Sequence, residues 1–260
     1  MNTTQSTILD NEPGSLLKPT LQFSIALLYA NLRNLKALAI TLGMPLFMLF
    51  TIWVPSLAGD EESQEIMQLL FPAIILLSVI MPGLTQATRL TCWREGHIFQ
   101  RFALTPVPLT HLMAGTAITQ ILIGVVQGIL MLLFGIFIVG LELSVSSAIL
   151  VLVGMFLAGA AFIAFGSLIA AFSRKSDIAG YVFFFSIMPL TFLASFPPDM
   201  MPESINAITP WLPTSMAIEL IGPLFLSNQL SSGAFLASAG LLIYTLLFAA
   251  VSARWVRWET

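Results

Sequence analysis

Charge is what this sequence has least of. Lys, Arg, Asp and Glu make up 9% of its 260 residues, against about 25% in an ordinary soluble domain. A chain of 28.3 kDa cannot cover a water-facing surface with so few charges. Cysteine occurs once, at Cys92, which excludes an intrachain disulfide. His97 and His111 are the only histidines, and neither belongs to a Cys, Asp or Glu cluster at metal-ligand spacing. The lysines follow Leu17, Leu35 and Arg174, so the Gly-Lys pair of a phosphate-binding Walker loop is missing. These absences exclude a soluble enzyme, a nucleic-acid binder and a secreted disulfide scaffold. If ATP drives this protein, another polypeptide binds it.

Apolar residues fill the space instead. They make up 57% of the chain, twenty of them Phe, and the mean hydropathy is +0.94. A bilayer core of about 30 Å needs roughly 20 apolar residues per helix. Stretches free of Lys, Arg, Asp and Glu reach that length at about 37–57, 66–88, 112–139, 146–172, 178–196 and 233–253. They lack the period-2 alternation of a membrane barrel, so the fold class is an all-α membrane protein with six transmembrane helices. In the third run, Gly124 and Gly128 have the spacing that lets helices approach closely, and packing within one bundle is the favoured reading.

The basic residues orient the bundle. With six spans, Lys18, Arg33, Lys36, Arg89, Arg94, Arg101, Arg174, Lys175, Arg254 and Arg257 fall on one side. Asp60, Glu61, Glu62, Glu65, Glu142, Asp199, Glu203 and Glu219 fall on the other. By the positive-inside rule both termini are cytoplasmic, which places the protein in a cytoplasmic (inner) membrane.

Outside the spans, residues 1–19 read as a cytoplasmic polar tail, without the basic and apolar regions of a secretory signal. Residues 20–36 place Leu21, Ile25, Leu28 and Leu32 on one stripe, which predicts an amphipathic interfacial helix before a membrane domain at 37–255. The connection at 197–232 is too apolar for a solvated loop and predicts short external helices. The spans contain no Asp, Glu or His, the residues proton-coupled carriers use at bilayer depth. That argues against an ion gradient as the energy source.

Within the second cytoplasmic connection the run R94-E-G-H-I-F-Q-R-F-A-L-T-P-V-P108 resembles the signature of type-2 ATP-binding-cassette (ABC-2) permeases. That signature is approximately Arg-Glu-x-Gly-x-Leu-x-Arg-Leu-x-x-Thr-Pro-Leu-Pro. The match carries Arg94, Glu95, Arg101, Thr105, Pro106 and Pro108, while His97 stands at the usual glycine position and Gly96 comes one residue early. The external run FPPDMMPESINAITPWLPTSMAIE resembles the family's segment before the last span.

The resemblance implies a permease without catalytic residues or cofactor of its own, ATP and Mg being held by a nucleotide-binding ATPase subunit. It implies pairing with a second copy or a related permease, among membrane lipids. It also implies a coupling helix at about 92–108 that docks on the ATPase, with Phe99 and Phe102 as exposed anchors beside Arg94, Glu95 and Arg101. A substrate path between spans two and five would involve Phe71, Leu76, Ser78, Met81, Phe184, Phe185, Met188 and Thr191. Its apolar, Met-rich and aromatic character suits an amphipathic drug or natural product, making the protein an exporter. Export of a lipid-linked glycan or polysaccharide, or a non-transporting scaffold or immunity role, are the alternatives.

Overall fold

A computed structural model describes residues 17–33, 35–57, 61–102, 109–141, 143–196 and 201–255. Thr105, Pro106, Pro108 and most of the polar tail lie outside the described residues, as does the Phe102 side chain. The described elements are helices: α1 (Leu17–Arg33), α2 (Leu35–Ser56), α3 (Glu61–Glu95), α4 (Ile98–Phe102) and α5 (Leu109–Phe134) come first. They are followed by α6 (Val145–Phe172), α7 (Ser176–Ser195), α8 (Glu203–Asn206), α9 (Pro213–Ser227) and α10 (Ala234–Trp255).

Five of them, α3, α5, α6, α7 and α10, are long and apolar enough to cross a membrane. The remaining apolar run is α2, 22 residues long, with its described apolar stretch at Thr41–Ser56. Their ends follow local chemistry. The last turn of the third run widens into a π-helix at Gly135–Val139 and stops at Gly140, whose φ of 80° suits glycine. The Ser144 side chain accepts the Ser147 N–H at 3.1 Å and caps α6.

α3 is the axis of the bundle. Its 35 residues extend about 52 Å at 1.5 Å per residue, well beyond the hydrocarbon thickness. Leu76, Ile80 and Met81 on this helix pack with Phe162 of α6 and Phe183 of α7. Against α6 the contact is backbone to backbone. A Cβ on Gly166 would stand 2.2 Å from the Gly83 carbonyl oxygen, and one on Gly83 would stand 2.6 Å from that of Phe162. Gly124 faces the Pro82 ring and Gly128 faces the side chains of Met155 and Val79, so the small-residue spacing of α5 packs inside the bundle.

Polar pairs tie the helices where apolar side chains alone give little preference for one neighbour over another. Gln86 Nε2 of α3 donates to Thr116 Oγ1 of α5 at 3.1 Å and to Ser167 Oγ of α6 at 3.2 Å. Gln127 Nε2 of α5 donates to Thr41 Oγ1 of α2 at 3.0 Å. The connection between α7 and α10 folds into α8, a 3-10 turn at Thr209–Trp211 and α9. In α9, Leu220 and Ile221 press on Gly154 of α6, and Asn228 beyond its end accepts the Ser144 N–H at 2.9 Å.

Candidate functional site

The C-terminal end of α3 continues without a break through Cys92, Trp93, Arg94 and Glu95. The expected coupling helix at 92–108 is therefore corrected in its first part: those residues are the last turn of a membrane-crossing helix. The break falls at Gly96 and His97, and α4 follows with five residues. His97 has a φ of 53°, the left-handed conformation that favours glycine. Its position is the one at which the permease signature carries glycine, so the one-residue departure puts a Cβ where the backbone least accommodates it. His97→Gly should raise stability by about 0.5–1 kcal/mol, read as a higher thermal midpoint in detergent. An unchanged or lower midpoint would contradict the left-handed turn.

Arg94 and Glu95, expected to face a partner, both engage this chain. Arg94 donates to the carbonyls of Ala170 at 2.8 Å, Ala171 at 3.4 Å, and Ser173. Those are the orphan carbonyls at the C-terminus of α6, where a cation is also favoured by the helix dipole. Glu95 Oε1 accepts the Ser176 N–H at 3.0 Å, at the N-terminus of α7, where an anion is favoured. Two consecutive side chains of α3 thus clasp both ends of the α6–α7 turn.

Phe99 is the second correction. It is 5% exposed, packed with Leu90 of α3 and Ala170 of α6. Its ring meets Trp93 edge-on at 6.1 Å, and Trp93 meets Phe23 of α1 at 6.3 Å. An aromatic side chain adjoining a bundle gains more from burial than from waiting in water, so Phe99 anchors α4 to the bundle. The outward side of α4 carries Gln100 and Arg101.

Beside this clasp a groove runs along the flank of α3 and α7. The part nearest the clasp, about 650 Å³, is lined by Thr85 and Thr88 of α3 with Tyr181, Phe184 and Phe185 of α7. A narrower cleft of about 40 Å³ lies further along the same helices, where Ile74 and Leu77 face Met188 and Thr191, and Met48 of α2 closes one side. The structure therefore brings Phe184, Phe185, Met188 and Thr191 to one flank. It does not bring the α3 candidates there: Phe71, Leu76, Ser78 and Met81 are all buried in the core. Phe71 stacks edge-on with Phe225 at 5.4 Å, and the Ser78 hydroxyl donates to its own helix at Ile75 O, 2.6 Å away. The face of α3 that lines the groove is Ile74, Leu77, Leu84, Thr85 and Thr88. The i, i+3 spacing of Ile74 with Leu77 and of Thr85 with Thr88, and the i, i+4 spacing of Leu84 with Thr88, was the available signal.

A bundle of apolar helices too long for a soluble core, with a polar clasp at the C-terminal end of α3 and a lateral groove, defines an all-α, multi-pass membrane protein. Residues 24–226 match the ABC-2 type transporter family, and the chain belongs to that family. It is the membrane permease component of an ABC system, a domain that is not itself catalytic. No protein of curated function matches the chain.

Proposed function

We propose that this permease is the membrane half of an ATP-driven exporter of amphipathic organic compounds, working by alternating access in a cytoplasmic membrane with both termini inside. Two copies, or one copy with a related permease, pair with two ATPase subunits that bind ATP and Mg. The reading rests on one observation above all: the groove and the clasp share helices. Tyr181 and Phe185 are 65% and 69% exposed on α7, the helix whose first N–H Glu95 holds. A push on α4 reaches α3 through a two-residue turn and reaches α6 and α7 through Arg94 and Glu95. Their cytoplasmic ends then move together against α2, whose Thr41 also lines the groove, and so change its width. In this proposal Arg101 contacts the ATPase, Thr105, Pro106 and Pro108 stiffen the return to α5, and Phe102 remains a candidate anchor. Aromatic walls with a few hydroxyls suit flexible, partly apolar ligands.

The purified chain in liposomes should neither hydrolyse ATP nor transport. With its ATPase subunit it should export amphipathic dyes, and the dyes should stimulate hydrolysis. Phe185→Ala, at an exposed position, should raise the dye concentration for half-maximal stimulation several-fold and leave basal hydrolysis unchanged. Transport by the chain alone under a proton gradient would sink the exporter reading.

A further inference from the structure

A second polar cluster lies inside the cytoplasmic half of the bundle and adjoins the groove, since Thr41 and Thr85 line both. Sequence reading placed Arg89 in a cytoplasmic connection, but it is on α3, six residues before the helix ends at Glu95. That is about 9 Å along the axis, near the depth of lipid headgroups and the hydrocarbon edge. Arg89 Nη2 donates to Asn31 Oδ1 of α1. Among the described residues no carboxylate pairs with it, and its Nη1 is buried without a hydrogen-bond partner.

The neighbours have the same surplus. A guanidinium only donates, so the Asn31 oxygen must face it, and the Asn31 amide nitrogen is left buried and unpaired. Gln120 of α5 is 1% exposed, and its Nε2 has no partner either. Arg89, Asn31 and Gln120 line one cleft of about 30 Å³, walled by Pro82 and Ile123. Gln127, 2% exposed, adds one unpaired acceptor, Oε1, beside its bond to Thr41. Three residues from α1, α3 and α5, each with a buried nitrogen that lacks a partner and one of them charged, thus line a single space the size of one or two oxygen atoms. Unsatisfied buried donors are costly, and an uncompensated cation in a membrane more so.

We propose that Arg89, Asn31 and Gln120 form a binding site for the oxygens of a phosphate group, holding the amphipathic helix α1 to the bundle. The guanidinium is suited to phosphate oxygens, which accept without donating. The same oxygens are carried by the phosphodiester of an anionic lipid and by free inorganic phosphate. The lipid is the source this depth favours, since α1 presents Leu21, Ile25 and Tyr29 outward and α5 presents Ile118, Leu122 and Val126 to acyl chains.

The test is the thermal midpoint of the purified full-length chain in neutral detergent as ligand is added, since a ligand of the folded state raises it with concentration. Three probes are compared at constant ionic strength: dioleoylphosphatidylglycerol, uncharged dioleoylglycerol, and sodium phosphate. Phosphatidylglycerol should stabilise the wild type and dioleoylglycerol should not. Arg89→Gln should raise the half-saturating concentration about tenfold or more, as losing a charge-assisted hydrogen bond does. Arg89→Lys should give a smaller rise, and Gln120→Leu a several-fold one, which keeps the test usable if Arg89→Gln does not fold. Arg254→Gln, at an exposed position on α10, should change nothing. Stabilisation by sodium phosphate alone, with the same dependence on Arg89, would support the site with a free anion as its occupant. Equal stabilisation by dioleoylglycerol, or equal responses of wild type, Arg89→Lys and Gln120→Leu, would overturn the proposal.

Discussion

Replacing Arg94 by alanine should release the α6–α7 turn from α3 and uncouple the groove from α4. The guanidinium serves the carbonyls of Ala170, Ala171 and Ser173, and hydrogen bonds to a charged group contribute about 1.5–3 kcal/mol. Arg94 is half-buried, so solvent replaces part of that, and a loss of about 2 kcal/mol is expected. Lysine at this position should recover less than half, because one ammonium cannot span three carbonyls as a planar fork does. Glu95→Gln keeps an acceptor for the Ser176 N–H and should be mild; Glu95→Ala should be worse. The checks are the thermal midpoint of the chain and, in the assembled transporter, ATP hydrolysed per substrate moved. That ratio should rise at least tenfold for Arg94→Ala. An Arg94→Ala protein with wild-type midpoint and wild-type ratio would show that the clasp carries neither stability nor coupling.

Gly166→Ala should be among the most damaging single-methyl additions in the protein. Its Cβ would fall 2.2 Å from the Gly83 carbonyl oxygen and 3.4 Å from the Ala87 nitrogen. Both are backbone atoms of α3, so no rotamer change relieves the clash, and the helices must separate along their contact. Overpacking of this kind costs about 1–3 kcal/mol, and valine should cost more than alanine. The damage should also reach the clasp, since Ala170 lies one helical turn beyond Gly166 on α6. Gly43→Ala is the control: an added methyl meets nothing within 4 Å, and a mid-helix Gly→Ala change favours the helix by up to about 1 kcal/mol. Opposite shifts in thermal midpoint are therefore expected from the same chemical change. A Gly166→Ala midpoint equal to wild type would disprove the close crossing.

The corrections share a pattern. Sequence placed Phe99 outside because it follows the spans and adjoins charges, yet a short helix folds back and buries it against Trp93 and Ala170. The resemblance to the permease signature placed Arg94 and Glu95 on a docking helix, with Arg94 free to meet acidic groups of a partner and Glu95 open to pairing with Arg94 or with the partner. Their actual partners, Ala170 and Ser176, are about eighty residues away in the chain, and backbone carbonyls and N–H groups carry no sequence identity to read. Arg89 was legible as basic but not as buried, because nothing local announces Asn31 or Gln120 as its neighbours.

By itself the sequence determined the solvent, the helical class, the approximate ends of the apolar helices and the permease signature at Arg94–Pro108. Each follows from local properties: hydropathy over one bilayer thickness, glycine and proline at boundaries, and charges that cannot cross. Which face of each helix meets another helix was decided only by the tertiary structure. In water, burial writes itself as amphipathic periodicity. In lipid, an acyl chain is as apolar as a leucine, so Phe71 and Met81 in the core look no different from Leu84 on the groove. The choice among faces rests on shape and on a few polar atoms, on Gly83 fitting Gly166 and on Gln86 reaching Thr116 and Ser167, and those pairings exist only once the helices are packed.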